Sequence, residues 1–299
     1  MNLLSGPTEG LLQAGFDIWN HMTRIVWGML EQTPQTIDGG SIWDKLQGVV
    51  EPLFVGIGTA LVIVFFFWGW VKNSVDMHED VRLENILRML IRVVVAEFLV
   101  LNNFNIMKIF FEMVGNAVRA LGTGFGIQTT VNESGATVTG EGALGVQLDL
   151  DKMEDLKAAI ESEFWLGLAV FLIALIAFLV IAVLSVMLVL TVYARFIKLF
   201  IVLPLGTLAF SSFAGDREIA HSSSAYFRYI LGLTLEAVAM GLALIVSGLL
   251  INSGVLFISS GATGFNFILL YLVQICLQLA ITLGTVKGAH ELVSRTLGV

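Results

Sequence analysis

Between Phe164 and Tyr193 the chain runs for about thirty residues without a charged side chain, bounded by Glu161 and Glu163 before and by Arg195 and Lys198 after. An apolar helix of about twenty residues, rising about 1.5 Å per residue, already crosses a hydrocarbon core ~30 Å thick. A run of thirty reaches about 45 Å and must tilt or project beyond the lipid. This one segment predicts a membrane protein. The composition agrees, with 57% hydrophobic residues, 13% charged residues and a mean hydropathy of +0.87, whereas an ordinary soluble domain is about 25% charged.

Charge and cysteine content remove several function classes. A net charge of -8 and a pI near 5.0 argue against a broad nucleic-acid-binding face, which needs clustered Lys and Arg in excess. Cys276 is the only cysteine, so no intrachain disulfide or CxxC site can form. The N-terminal MNLLSGPTEG has no basic stretch ahead of its apolar residues, and no cleaved signal peptide is expected.

Segment by segment, the sequence predicts an all-α, polytopic membrane fold. It would hold about five spans, an N-terminal amphipathic helix and a re-entrant or interfacial segment. Residues 1–46 form an extracytoplasmic amphipathic segment: Pro7, Thr8 and Glu9 suit a helix start, and Leu12, Phe16, Trp19, Met22, Val26 and Met29 recur at intervals of three and four. Residues 47–120 form a first membrane hairpin, with spans at about Val49–Val71 and Val93–Val114. Trp68 and Trp70 lie where indole rings favour the interface. Residues 121–163 form an extracytoplasmic loop, Gly/Thr-rich with a short β-hairpin and then acidic and helical. Its GTGFG lacks the strand, helix and Lys of a phosphate cradle. Residues 164–299 form the C-terminal membrane core with three spans, including about Ile230–Ile251 and Phe265–Val286, and a short cytoplasmic tail. The apolar stretch Leu199–Phe210 is only about a dozen residues and contains Pro204, which suits a re-entrant or interfacial piece better than a crossing.

Five spans with the N-terminus outside place Lys72, Arg82, Arg88, Arg92, Arg195, Lys198, Arg217, Arg228, Lys287 and Arg295 on the inner side. A six-span alternative, in which Leu199–Phe210 crosses, counts about equally. The short proline-containing segment and the long acidic loop favour five.

Chemistry-bearing constellations are sparse. His21, His78, His221 and His290 occupy four separate segments, without partners at ligand spacing, and no GxxxxGK[ST] occurs. The expectation is a protein without catalytic, cofactor or metal residues. The polar groups that stand out lie in apolar surroundings, where an unsatisfied polar group costs several kcal/mol. They are Glu97, Asn102, Asn103 and Asn105 in the second span, Arg195, Lys198 and Pro204 after the third, and Glu236, Gln274 and Gln278 in the last two. Glu236 is expected to pair with Arg195 or Lys198 near the inner surface, or to serve a substrate path or proton relay. One protomer of five spans offers little room for all of these groups, which points to a homo-oligomer around a shared path.

The block YARFIKLFIVLPLGTLAF, followed by a polar stretch and FRYILG, completes a pattern. An outside amphipathic N-terminus, a soluble central loop, a long third span and this block from Tyr193 to Leu231 together resemble the TrbL-like family. These are VirB-type polytopic inner-membrane subunits of type IV secretion and conjugal transfer machines, and the resemblance covers about residues 47 to 290. It implies a non-enzymatic channel or scaffold subunit of the cytoplasmic membrane, with the N-terminus outside and the C-terminus inside. Its implied partners are membrane lipids, copies of itself, other secretion-machine subunits including ATPases and pilin-like proteins, and transient DNA or protein cargo. The competing readings are a secondary transporter or channel for a small solute, and an accessory subunit of another export or phage system. A transporter of repeated halves would show matching interrupted helices, and the sequence has one proline-containing apolar segment without a second copy.

Overall fold

The computed structural model describes residues 5–76, 83–132, 135–139, 144, 164–215, 217–253 and 265–298. The expected acidic helix before Phe164, the Gly/Ser-rich turn after Ser253 and His78 lie outside the described residues. The chain divides into two compact units. One comprises Met1–Glu31, Ala117–Tyr193 and Val238–Ala289, and the other Gln32–Asn116, Ala194–Ala237 and His290–Val299.

In the first unit, helix α1 (Ser5–Glu31) buries Leu12, Phe16, Trp19 and Val26, the stripe set by its three-and-four spacing. Gly15 brings it close to helix α6 (Phe164–Ser211), where a side chain would meet Ile181 at 3.4 Å and Phe178 at 3.5 Å. Helix α5 (Asn103–Gly124) ends in this unit on a left-handed Gly126, φ 75°. The Ile127 amide bonds the Gly122 carbonyl at 2.8 Å and the Gly126 amide bonds Thr123 at 3.2 Å. That paired closure satisfies the last carbonyls of the helix, and buried Ile127 supplies the apolar contact that accompanies it. Strands β1 (Gln128–Asn132) and β2 (Gly135–Thr139) follow as an antiparallel hairpin with Gln128 opposite Thr139.

The second unit opens with a left-handed turn at Asp38, Gly39 and Gly40, which redirects the chain into helix α2 (Ser41–Lys45) and on to α3 (Glu51–Asp76). Helix α4 (Leu83–Leu101) follows. The unit's core surrounds Trp43, whose ring meets Phe104 and Phe111 edge-on at 5.7 and 6.3 Å. Val62, Ala96, Val100, Met107, Leu199 and Leu203 enclose it. Helices α7 (Arg217–Asn252) and α8 (Phe265–Leu297) complete the chain.

Among the described residues four helical stretches are long and apolar enough to cross a membrane: Ile37–Lys72, Gly167–Ala214, Ile219–Asn252 and Leu269–Leu297. Two expectations are corrected. The second span at Val93–Val114 is two helices, α4 and α5, meeting at Asn102, and neither is among the four. Asn102 donates its side-chain amide to the Phe98 carbonyl at 3.0 Å, the acceptor its own backbone amide also uses, a local competition that weakens helix continuity. Leu199–Phe210 is not a separate re-entrant piece, because α6 continues unbroken through Pro204 for 48 residues. At about 1.5 Å per residue it is about 72 Å long, more than twice a hydrocarbon core of ~30 Å. Helix α3 leaves Val64, Phe67, Trp68, Trp70 and Val71 exposed, and a patch of that size leaves water only against lipid or another molecule.

Candidate functional site: buried polar groups of the second unit

Two polar clusters lie inside the second unit. The first collects three charged or titratable side chains from three helices. Arg195 on α6 is 3% exposed; its Nε donates to the Leu233 carbonyl at 3.2 Å and its Nη2 to the Thr234 carbonyl at 3.4 Å. The forked guanidinium spans adjacent carbonyls of α7, which the single ammonium of Lys is poorly shaped to do. Those carbonyls are on a helical turn already shared with side chains, since the Thr234 hydroxyl donates to Ile230. Nη1 of Arg195 is buried without a hydrogen-bond acceptor. Glu236, two residues beyond Thr234 and also 3% exposed, acts on Arg195 electrostatically. Its near contact, however, is His290 of α8, with Oε2 3.2 Å from Nδ1.

This divides the expected partners of Glu236: Arg195 acts on it electrostatically, while the hydrogen-bond contact belongs to His290. Lys198 is exposed, and Arg195 directs its hydrogen bonds to the backbone carbonyls of α7, while a histidine assigned no partner from sequence takes the carboxylate. Glu236 and His290 are 54 residues apart, and no local spacing announces such a pair.

The second cluster surrounds the proline of α6. Proline removes the amide that would bond the carbonyl four residues earlier, and its ring crowds that turn. Around it, Asn103 of α5 is buried and donates Nδ2 to the Leu203 carbonyl at 2.9 Å. The Tyr226 hydroxyl of α7 donates to the Val202 carbonyl at 3.3 Å. Gly206 makes room for both, because a Cβ there would fall 2.6 Å from Asn103 Oδ1 and closer still to the Tyr226 hydroxyl. Oδ1 of Asn103 has no hydrogen-bond partner. On the far side of Gly206 the Thr207 hydroxyl bonds the Pro204 carbonyl at 2.8 Å, and the Thr207 carbonyl lies 3.1 Å from where a Cβ on Gly58 of α3 would stand. Next to Gly58, Thr59 donates to Glu97 Oε1 at 3.0 Å, so this carboxylate is half-buried and bonded within the α3–α4 pair. Glycines at such crossings let backbones approach closely, as in membrane helix pairs generally.

The other expected residues separate. Asn102 bonds within its own helix, and Asn105 and Lys198 are exposed. Gln274 and Gln278 are buried in the first unit. That unit holds a polar contact absent from the sequence-based expectations, in which Trp27 Nε1 donates to the buried Glu31 at 2.6 Å. The i to i+4 spacing of Trp27 and Glu31 is a legible signal for it. Among the described residues no group of three His, Cys, Asp or Glu side chains is arranged to hold a metal. No family model, curated protein or solved structure matches the chain.

Proposed function

We propose that the chain is a non-enzymatic channel or scaffold subunit of a conjugative type IV secretion machine, helping DNA or protein across the cytoplasmic membrane. One observation carries the reading beyond the four apolar helices. The block from Tyr193 to Leu231, on which the TrbL-like resemblance rests, supplies Arg195, Pro204, Gly206 and Tyr226, and these build the buried polar contacts of the second unit. A family's most recognisable stretch is expected where packing tolerates least change. In this reading the N-terminus lies outside and the C-terminus inside. Copies of the chain assemble around a shared path, lined by the exposed Asn105 and Lys198, since Asn103, Glu236, Gln274 and Gln278 are buried within the protomer.

The test is purification of the full chain in mild detergent with its neighbouring gene products. Co-purifying ATPases or pilin-like subunits, together with loss of conjugal transfer when the chain is deleted, are the expected results. Transfer at the normal level without the chain would overturn the proposal. A second reading, a small-solute transporter, is favoured by the buried Glu236 with its His290 partner, because intramembrane ionisable groups commonly mark ion paths. Solute uptake by proteoliposomes holding the chain alone would favour it.

A further inference from the structure

We infer that Arg195, Glu236 and His290 form a proton-binding site in which two cations contend for one carboxylate. These three side chains carry it, independently of the secretion reading. Glu236 is enclosed, its side chain 4% exposed, whereas the His290 ring is 42% exposed. The imidazole is thus the member of the pair open to the surroundings. Around it on α8, Lys287, Glu291 and Arg295 are exposed, and Glu291 pairs with Arg295, a run of charge suited to the aqueous edge of a membrane helix. Among the described residues the charged groups presented to Glu236 are Arg195 from α6 and His290 from α8; Lys198 on α6 and Arg228 on α7 are exposed.

Charge counting defines two states. With His290 neutral, one buried carboxylate compensates one buried guanidinium. With His290 protonated there are two cations and one anion, and a buried cation without a counter-charge is costly. The carboxylate cannot serve both at close range. In the structure it lies 3.2 Å from Nδ1 of His290 while Nη1 of Arg195 has no acceptor, so the half-exposed ring holds the near contact and the guanidinium keeps an open donor. Loss of the proton leaves the neutral ring a weaker partner, and the carboxylate turns to the open Nη1. The site takes up or releases one proton, at the imidazole, and no covalent bond other than N–H changes. Because Arg195 belongs to α6 and His290 to the end of α8, the exchange alters which neighbouring helix the carboxylate of α7 holds.

Infrared difference spectroscopy on the full chain in lipid nanodiscs, across about pH 5 to 8 where histidine titrates, tests this. In the unmodified chain a carboxylate band, assigned by its absence in Glu236→Gln, should shift together with the imidazole bands. His290→Gln should abolish the carboxylate shift. Arg195→Gln should leave a smaller carboxylate shift, because the carboxylate then has no second cation to turn to; a shift of unchanged size in Arg195→Gln would overturn the contention between the two cations. Should Arg195→Gln fail to fold, the unmodified chain against His290→Gln decides alone, since position 290 is half-exposed. A carboxylate band that ignores His290 titration in the unmodified chain, or that still shifts in His290→Gln, would overturn the inference.

Discussion

Asn103 donates its side-chain amide to the carbonyl of Leu203 at 2.9 Å, across 100 residues of sequence, and leaves its own Oδ1 buried without a partner. The bond ties the start of α5 to the turn of α6 that contains Pro204. The carbonyl that Pro204 deprives of its amide is that of Phe200, so the bond to Leu203 adds a tie to the turn without replacing the missing one, and it leaves one oxygen unsatisfied. An intramolecular hydrogen bond contributes a net ~0.5–1.5 kcal/mol, and a buried orphan oxygen offsets part of that.

Asn103→Leu, which removes both the bond and the orphan in a side chain of similar volume, should therefore change stability by less than about 1 kcal/mol. Asn103→Asp places a carboxylate in the same enclosed position and should cost more than Asn103→Leu. Unfolding of the purified variants in mixed micelles orders them; an Asp variant as stable as the Leu variant would contradict the burial of Asn103.

Gly206→Ala should be destabilising by about 1–3 kcal/mol, because its Cβ would overlap Tyr226 and Asn103 and overpacked sites shift only at that cost. Tyr226→Leu removes the nearest overlapping atoms. The double variant should then be less destabilised than the two single losses added together. Strict additivity in the same unfolding assay would mean that Tyr226 is not what excludes a side chain at Gly206.

How far the sequence anticipates this structure depends on the range of each interaction. The apolar run after Phe164, the stripe of α1 and the hairpin after Ile127 are local patterns, readable from spacing and turn residues. The length of α6 is not readable in that way, because a proline usually ends a helix, whereas here the helix runs on through Pro204 with Asn103 and Tyr226 packed on the carbonyls just before it. Those partners are 100 and about two dozen residues away, and no periodicity points to them. Glu236 stands out as an intramembrane acid from its surroundings alone. Its partner does not, since Lys and Arg are the habitual counter-ions and a histidine 54 residues distant carries no local mark. Asn102 and Asn103 are adjacent and identical in type, yet one bonds its own helix and the other crosses to α6; only packing separates them.

Arg195→Met should be destabilising, by less than the ~3–5 kcal/mol of a fully broken buried pair, since it removes the guanidinium from the enclosed Glu236 while His290 stays 3.2 Å away. Arg195→Met combined with Glu236→Gln should recover much of the loss, because removing both charges removes the imbalance. Thermal stability of the two variants and the unmodified chain in detergent provides the comparison. A double variant no more stable than Arg195→Met would show that Arg195 acts through its carbonyl bonds to α7 and not through Glu236.

With Cys276 replaced by Ala, a cysteine at position 105 should react with a small aqueous maleimide or crosslink between copies, as Asn105 is exposed. A cysteine at position 103 should do neither, since Asn103 is enclosed by α5 and α6. Equal reactivity at the two positions would contradict the face assigned to α5.

Pro204→Ala tests whether the proline interrupts α6 or is merely carried by it. A proline inside a helix costs about 3 kcal/mol relative to Ala, through the missing amide and the crowding of its ring. Helix α6 continues through Pro204, so an alanine there restores an amide to a turn that is already helical. The expected outcome is an intact fold of equal or greater stability, with circular dichroism showing no loss of helix. The neighbouring bonds from Asn103 and Tyr226 go to the Leu203 and Val202 carbonyls, which the substitution leaves in place. A Pro204→Ala protein that unfolds at lower temperature would show that the crowded turn itself, and the displaced carbonyls it presents, hold α5 and α7 against α6.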